Sequence, residues 1–399
     1  MQRSACAVAL AAVFAPLAAP AAAGEVAVYG IADVTLERVK STGQTSGPQI
    51  DWRNRVSSNS SYIGFRGQTE LSGQRAFFQA EYGTNYDAQG DGAAGTNQFS
   101  YRDIFLGLGG NWGEVKAGQL TLPIRAISGK TNYNPGSTSI SETINLVTSI
   151  NGTNAGFHSR KQNALQYTTP VVLNGFSAAL AYGANEERVT GTSAKNPRTY
   201  GLGLYYEGPG MLSVYYAYEQ RSDSLTVASP AVSPPSKGTD NRLVFRLNFG
   251  QGTRVLAGFD WQKVDGTYGT GATAGTGSVG RNAWAVAASQ TFRQHEFILE
   301  YAQAKALKCD GAAALVANSS CVTTGLGTVQ DTGARQVGFV YHYWWTKDLM
   351  IQAYVTQIRN DARGSYEFDV NPARNSALQT GTQTGASPTG MGIGMRYSF

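Results

Sequence analysis

The sequence predicts an all-β fold: a 16-stranded antiparallel transmembrane β-barrel with an inward-folded third loop. Three observations carry this reading. Apolar and polar residues alternate along segment after segment, long and short connections alternate, and the chain ends on an alternating strand. In that last stretch Met391, Ile393, Met395, Tyr397 and Phe399 form a greasy face, and Gly392, Gly394, Arg396 and Ser398 a wet one. In a soluble sheet this would be a hydrophobic edge prone to aggregation. Pairing with the first strand removes the edge, and a barrel closed in lipid satisfies every backbone group.

Composition agrees. The 399 residues include 48 Gly and 21 Tyr, and only 15% are charged, which favours one large β domain over several helical ones. Residues 1–23 read as a secretory signal peptide. Arg3 is the positive start, an apolar Ala-rich run follows, and Ala21-Ala22-Ala23 is a small-residue cleavage site. Residues 24–399 form the barrel. Cleavage removes Arg3 and Cys6, so the net charge falls by one, from +5 to +4. No later segment reaches the ~18 apolar residues of a membrane helix.

The first strand is expected at 25–36, followed by a polar stretch to about Ser58. Strands follow at 61–71 and 75–86, a fourth ends at Leu108, and a fifth spans 114–120. After a long insertion come 160–169 and a strand fading near Glu187. The remainder are 198–207, 211–221, 241–249, 253–264, 281–292, 295–306, 335–345, one fading near Asn360, and the terminal strand. Tight turns such as Ser72-Gly73, Gly208-Pro209-Gly210 and Lys347-Asp348 alternate with long loops. Such alternation suits turns on one side of a membrane and loops on the other better than a β-sandwich, and no short repeat supports a β-helix. Tyr82, Tyr167, Tyr206, Phe249, Phe292, Trp345 and Phe399 fall near strand ends, where interfacial girdles sit.

A barrel of this size encloses a water-filled lumen, so passage of solutes is the default function. The longest connection, Thr121 to Ser159, is the candidate for narrowing it. It holds Pro123, Asn134-Pro135-Gly136 and a stretch of helical capacity from Ser141 to Ile150.

The terminal strand resembles that of bacterial outer-membrane barrels, and the chain as a whole resembles the Gram-negative trimeric general porins, β-proteobacterial branch. The residues that carry the likeness are Val28-Tyr29-Gly30-Ile31-Ala32-Asp33, Ser61-Tyr62-Ile63-Gly64-Phe65-Arg66-Gly67, Gly113-Glu114-Val115-Lys116-Ala117-Gly118-Gln119, Asn163-Ala164-Leu165-Gln166-Tyr167-Thr168-Thr169-Pro170 and Gly394-Met395-Arg396-Tyr397-Ser398-Phe399. The resemblance implies a homotrimer in the outer membrane. It also implies lipid and lipopolysaccharide around the barrel, an assembly machinery that reads Tyr397 and Phe399, and basic wall residues facing the inward loop. Arg160 matches one such basic position. Arg66 and Arg75 lie on polar strand faces, whereas Tyr62 and Asp103 reduce the expected positive field.

Within Thr121 to Lys161 the basic residues are Arg125, Lys130, Arg160 and Lys161, and Glu142 is the only acid. The expected constriction therefore comprises Arg66, Arg75, Asp103, Arg125, Lys130, Glu142 and Arg160, and the expected channel passes small hydrophilic solutes and ions with a weak to moderate preference for anions. A substrate-specific channel for anionic solutes is the rival reading. His158, His295 and His342 have no metal-ligand spacing. Gly129-Lys130-Thr131 lacks the first Gly of a phosphate loop, and no nucleophile elbow occurs. The sequence thus implies neither enzyme nor cofactor, and no nucleic-acid partner. Cys309 and Cys321, in one surface loop of an exported chain, are expected to form a disulfide.

Overall fold

The computed structural model describes residues 26–45, 49–87, 99–133, 139–184, 186–191, 195–225, 231–269, 274–315, 321, 331–369, 371–373 and 384–399. The expected signal peptide, residues 1–23, lies outside them. The strands in order are β1 (Val26–Thr42), β2 (Ile50–Ser58), β3 (Tyr62–Leu71), β4 (Gln74–Thr84), β5 (Phe99–Gly110), β6 (Gly113–Leu120), β7 (Lys161–Thr168), β8 (Phe176–Gly183) and β9 (Arg198–Glu207). They continue with β10 (Leu212–Ser222), β11 (Val232–Asn248), β12 (Thr253–Tyr268), β13 (Gly275–Phe292), β14 (His295–Ala304), β15 (Lys308–Gly311), β16 (Ala334–Trp344), β17 (Leu349–Asn360) and β18 (Ser387–Ser398).

All pair antiparallel in one 18-stranded sheet. Two segments continue others. β2 and β3 both pair with β1, above and below a kink at Ser60, which has φ +50°. β14 and β15 likewise both pair with β13. Sixteen barrel strands result, closed where β1 meets β18.

Alternation sets which side faces lipid. On β18 Ile393 is 57% exposed, whereas Arg396 is 9% exposed and turned into the lumen. The aromatics Phe249, Phe292, Trp345 and Phe399 are all exposed on the outer surface near strand ends.

The polar stretch expected before Ser58 is corrected. β1 runs on to Thr42, and β2 occupies 50–58. Similarly β11 begins at Val232 and β13 at Gly275, well before the expected 241 and 281. In these extensions apolar residues do not keep to one face: Val39, Ile50 and Val279 are buried on the inward side while Val56 is exposed outward, so no continuous greasy face marks them.

The seam is tight. Gly30 and Phe399 exchange two backbone hydrogen bonds of 2.9 and 3.1 Å. A Cβ on Gly30 would sit 2.5 Å from both the Phe399 ring and the Tyr62 carbonyl oxygen. The terminal aromatic thus packs over a position only Gly can fill. Deleting Phe399 removes one hydrogen-bonded pair and the ring that covers Gly30, and is expected to impair membrane insertion with little effect on export. The check is the yield of heat-modifiable barrel in membranes; a wild-type yield would contradict it.

Cys309 on β15 and Cys321 are joined by a disulfide, with Cα atoms 5.8 Å apart. Thiol labelling of unreduced, denatured mature protein should therefore find no reactive thiol, and labelling of two would refute the pairing.

Candidate functional site: the lumen constriction

The connection after β6 folds into the barrel because too much of it is apolar to face water. It contains α1 (Pro123–Ala126), a 3-10 turn (Ile127–Lys130) and α2 (Ile144–Thr148). Pro123 starts α1, where its missing N–H costs no hydrogen bond. Ile124, Ile144, Leu146, Val147 and Phe157 are fully buried. Ile124 and Phe157 pack with Tyr215, Ala217 and Val244 of the wall, and Leu146 and Val147 with Leu256, Ala285 and Val340. Helix α1 lies against β8 to β11, and α2 against β12 to β14 and β16.

Polar anchors fix the loop on that wall. Arg242 donates to the Ile124 carbonyl at 2.8 Å, and Gln262 to the Thr148 carbonyl at 2.8 Å. Arg242 and Arg281 share Asp260, at 2.7 and 2.9 Å. In so buried a cluster, removing Asp260 would leave Arg281 without its carboxylate and Arg242 with only Asp240 at 3.4 Å, typically a loss of about 3–5 kcal/mol.

Asp103 ties the two ends of the loop together. It accepts from the Thr121 hydroxyl at 2.9 Å and pairs with Arg160 at 3.2 Å. Its neighbour Arg102 also points inward, because β4 and β5 slip register between Ala80 and Tyr82. The bulge sets two residues opposite Glu81, and Arg102 pairs with Glu81 at 3.3 Å while stacking 4.5 Å from the Tyr62 ring centroid. Arg125 donates to the His158 carbonyl. Burial and the adjacent Arg160 charge lower its guanidinium to about 10, so it stays cationic at neutral pH. Burial and the same arginines hold His158 well below its usual range, and therefore neutral. Gln119, Arg125, His158, Arg160, Lys161 and Arg221 line an open cleft of about 570 Å³.

The expected site residues thus separate. Asp103, Arg125 and Arg160 come together. Arg66 lies on the same side of the lumen, 4.8 Å from the Tyr29 ring centroid. Arg75 does not join them: it pairs with Glu114 at 3.1 Å, one residue from the tight turn joining β5 and β6. Lys130 is held on the wall by Glu207 at 3.0 Å. Glu142 is 1% exposed and hydrogen-bonded to Asn132, so it faces the loop's own packing and not water. Burial, then the nearby Glu300, raises its carboxyl well above the usual range. Arg160 precedes β7, and a register shift between Leu120 and Gly118 interrupts the strand parity that was used to place it. Its inward direction rests on Asp103 instead.

A second segment enters the lumen, which strand periodicity did not indicate. After β17, Tyr366, Phe368, Asn371 and Ala373 are buried. Arg55 donates to the Pro372 and Asn371 carbonyls at 2.5 and 2.6 Å, and Arg53 to the Ala373 carbonyl. On the other side, Asn145 donates to the Glu367 carbonyl at 2.7 Å, and the Ser365 N–H to Asn151 at 3.0 Å. The segment therefore bridges the inward loop and the β2 wall.

Asp369, in that segment, is raised by burial to about 6 despite the nearby Arg125 charge. A raised carboxyl value means that the docked segment is most stable below roughly pH 4, and that it loses this contribution as pH rises through about 6. Acidification from pH 7.5 to 5 should tighten the docking and uncover the Arg125 charge, moving the reversal potential toward anions. Asp369→Asn should remove that dependence; the same pH response in wild type and variant would refute the assignment.

A family model described as Gram-negative porin matches residues 5–364. The chain belongs to that family. This porin is 28% identical over 244 residues to major outer membrane protein P.IB of Neisseria gonorrhoeae, spanning 59% of the chain and 65% of the gonococcal protein. It is 26% identical over 182 residues to the chitoporin of Vibrio furnissii, spanning 45% of the chain and 46% of that protein. Among solved structures, an anion-selective porin from Comamonas acidovorans superposes with a TM-score of 0.69 at 20% identity, covering 94% of this chain and all of the other. OmpT of Vibrio cholerae, solved also as a trimer, superposes at 0.58 and 13% identity. At these identities the structures attest the porin fold.

Proposed function

We propose that this porin is an outer-membrane channel for passive diffusion of small hydrophilic solutes and ions, with a weak to moderate preference for anions, and that it works as a homotrimer. The observation that carries the reading is the charge balance at the constriction. Arg102 and Arg160 are matched by Glu81 and Asp103. Arg66, Arg125 and Lys161 form no ion pair among the described residues, the Asp369 carboxylate near Arg125 offsets part of their charge at neutral pH, and Glu142 is turned away from water. The balance left for a passing ion is positive but small, and a narrow low-dielectric passage amplifies it.

The anion selectivity of the Comamonas protein and the trimeric form of the Vibrio one support the same reading. A substrate-specific channel for anionic solutes is favoured instead by the second inward segment, which narrows the opening. Single-channel recording separates the two. Conductance that rises with salt and is insensitive to added organic anions supports general diffusion; block and saturation by one anion class would favour the specific channel.

A further inference from the structure

On β14 the inward residues Ile298, Ala302 and Ala304 are apolar, and Glu300 stands among them, 1% exposed. Register sets it between Ala287 on β13 and Gly338 on β16, so its flanking neighbours are small and leave its carboxylate room. Two parts of the inward loop close over it. From the first part, the Tyr133 backbone N–H lies beside Glu300, and Asn132 donates to Glu142. From the second, the Ile140 and Ser141 carbonyls accept from Gln336 on β16 at 3.3 and 3.5 Å, which holds Glu142 over the same stretch of wall. A Cβ on Gly338 would stand 3.4 Å from the Ser141 carbonyl oxygen and 3.9 Å from Glu300 Oε2, so both oxygens border one small space.

What gathers there is oxygen without donors. Asn132 Oδ1, Glu142 Oε1 and both Glu300 oxygens are buried and have no hydrogen-bond partner among the described residues. Neither glutamate is ion-paired among those residues, whereas Asp33, Glu37, Asp103 and Asp260 on the same inward wall each hold an arginine. Asp369 adds further negative charge near Glu142, and Arg396, already engaged by Asp33, a smaller positive one. Buried carboxylates in contact with no cation are too costly to persist, so something must cancel their charge. A shared proton supplies a single O–H donor and satisfies one further oxygen, leaving the others bare. A divalent cation cancels both charges and engages every one of these oxygens. The donor set holds no nitrogen or sulfur, which suits a hard cation, and its irregular, crowded arrangement suits calcium better than magnesium, which demands an octahedron and keeps its waters.

We propose that Glu142, Glu300 and Asn132 form a calcium site, bordered by the Ser141 carbonyl, that fastens the inward loop to β14. Binding displaces the proton that burial and Glu300 favour on Glu142, so the exchange is balanced. The site stands apart from the diffusion and anion-preference readings above, because it concerns how the loop is held and not what passes it.

The test uses detergent-purified mature protein stripped with EDTA, with calcium uptake measured by equilibrium dialysis against radiocalcium. Wild type should bind one calcium per chain more than Glu300→Gln does, with a Kd of about 0.1–1 mM, as in extracellular calcium modules. Glu300→Gln and Glu142→Gln keep the side-chain size and should each weaken binding more than about tenfold. Saturating calcium should raise the unfolding temperature of wild type, magnesium should raise it less, and neither should move Glu300→Gln. Heat modifiability on gels shows whether each variant folds. Asn132→Asp adds a third carboxylate and should bind calcium more tightly, a gain that no folding defect produces. Equal uptake by wild type and Glu300→Gln, or weaker uptake by Asn132→Asp, overturns the site. Wild type melting at one temperature with and without calcium also overturns it, and assigns the charge balance to a shared proton.

Discussion

Replacing Arg160 with Glu is expected to move the reversal potential toward cations, and to do so more at low salt than at high. The substitution reverses one charge at the narrow part of the lumen. Unit charges a few Å apart interact by roughly 1 kcal/mol even in bulk-like water, so reversal amounts to ~2 kcal/mol, on the order of a tenfold or larger change in relative permeability before screening. At about 0.1 M salt the screening length is ~10 Å, which is why the shift should shrink as salt rises. Arg160 also clasps Asp103, which holds Thr121 at the other end of the loop. A Glu there sets two carboxylates together and could loosen the loop. Arg160→Gln, which keeps a donor for Asp103, should shift the potential about half as far, as expected for loss rather than reversal of one charge. An unchanged reversal potential in Arg160→Glu at low salt would show that this position does not face the ion path.

The second large effect is expected from the segment after β17. Replacing residues 365–373 by a Gly-Ser linker removes the bridge between the inward loop and the β2 wall. It also releases Arg53 and Arg55 from the carbonyls that occupy them. Single-channel conductance should rise, on the order of twofold if the two inward segments share the lumen evenly. Anion preference should rise with it, because Arg53 gains access to water and Glu37 already offsets Arg55. Conductance equal to wild type would mean that the segment does not obstruct the path. Arg363 lies only two residues before this segment. Its carbonyl accepts from Asn151 at 3.5 Å, which ties it to the bridge's approach.

Alternation along β18 and β16 gave the sequence reading its strands, because one face meets lipid and must be apolar. The same logic failed for 37–42, 50–58 and 275–280, where Val39, Ile50 and Val279 are buried inward among polar neighbours and no continuous greasy face marks the strand. It also failed at the constriction, where bulges reset parity: Arg102 gained an inward direction that no period-two count assigns. The inward loop was legible from its length and its stretch of helical capacity. The docking of residues 365–373 was not, because it depends on backbone carbonyls meeting Arg53 and Arg55, and backbone acceptors leave no mark in the sequence. Glu142 was expected among the pore charges since it is the only acid in that stretch, but its neighbours Ile140 and Ile144 draw it into the packing against the wall.

The measurement that bears most directly on the charge placement is the reversal potential of the wild-type channel in a potassium chloride gradient, taken at low and at high mean salt. An anion-selective potential at low salt that declines toward zero at high salt is the expected result. A cation-selective potential at low salt would contradict the placement of Arg66, Arg125, Arg160 and Lys161 along the ion path.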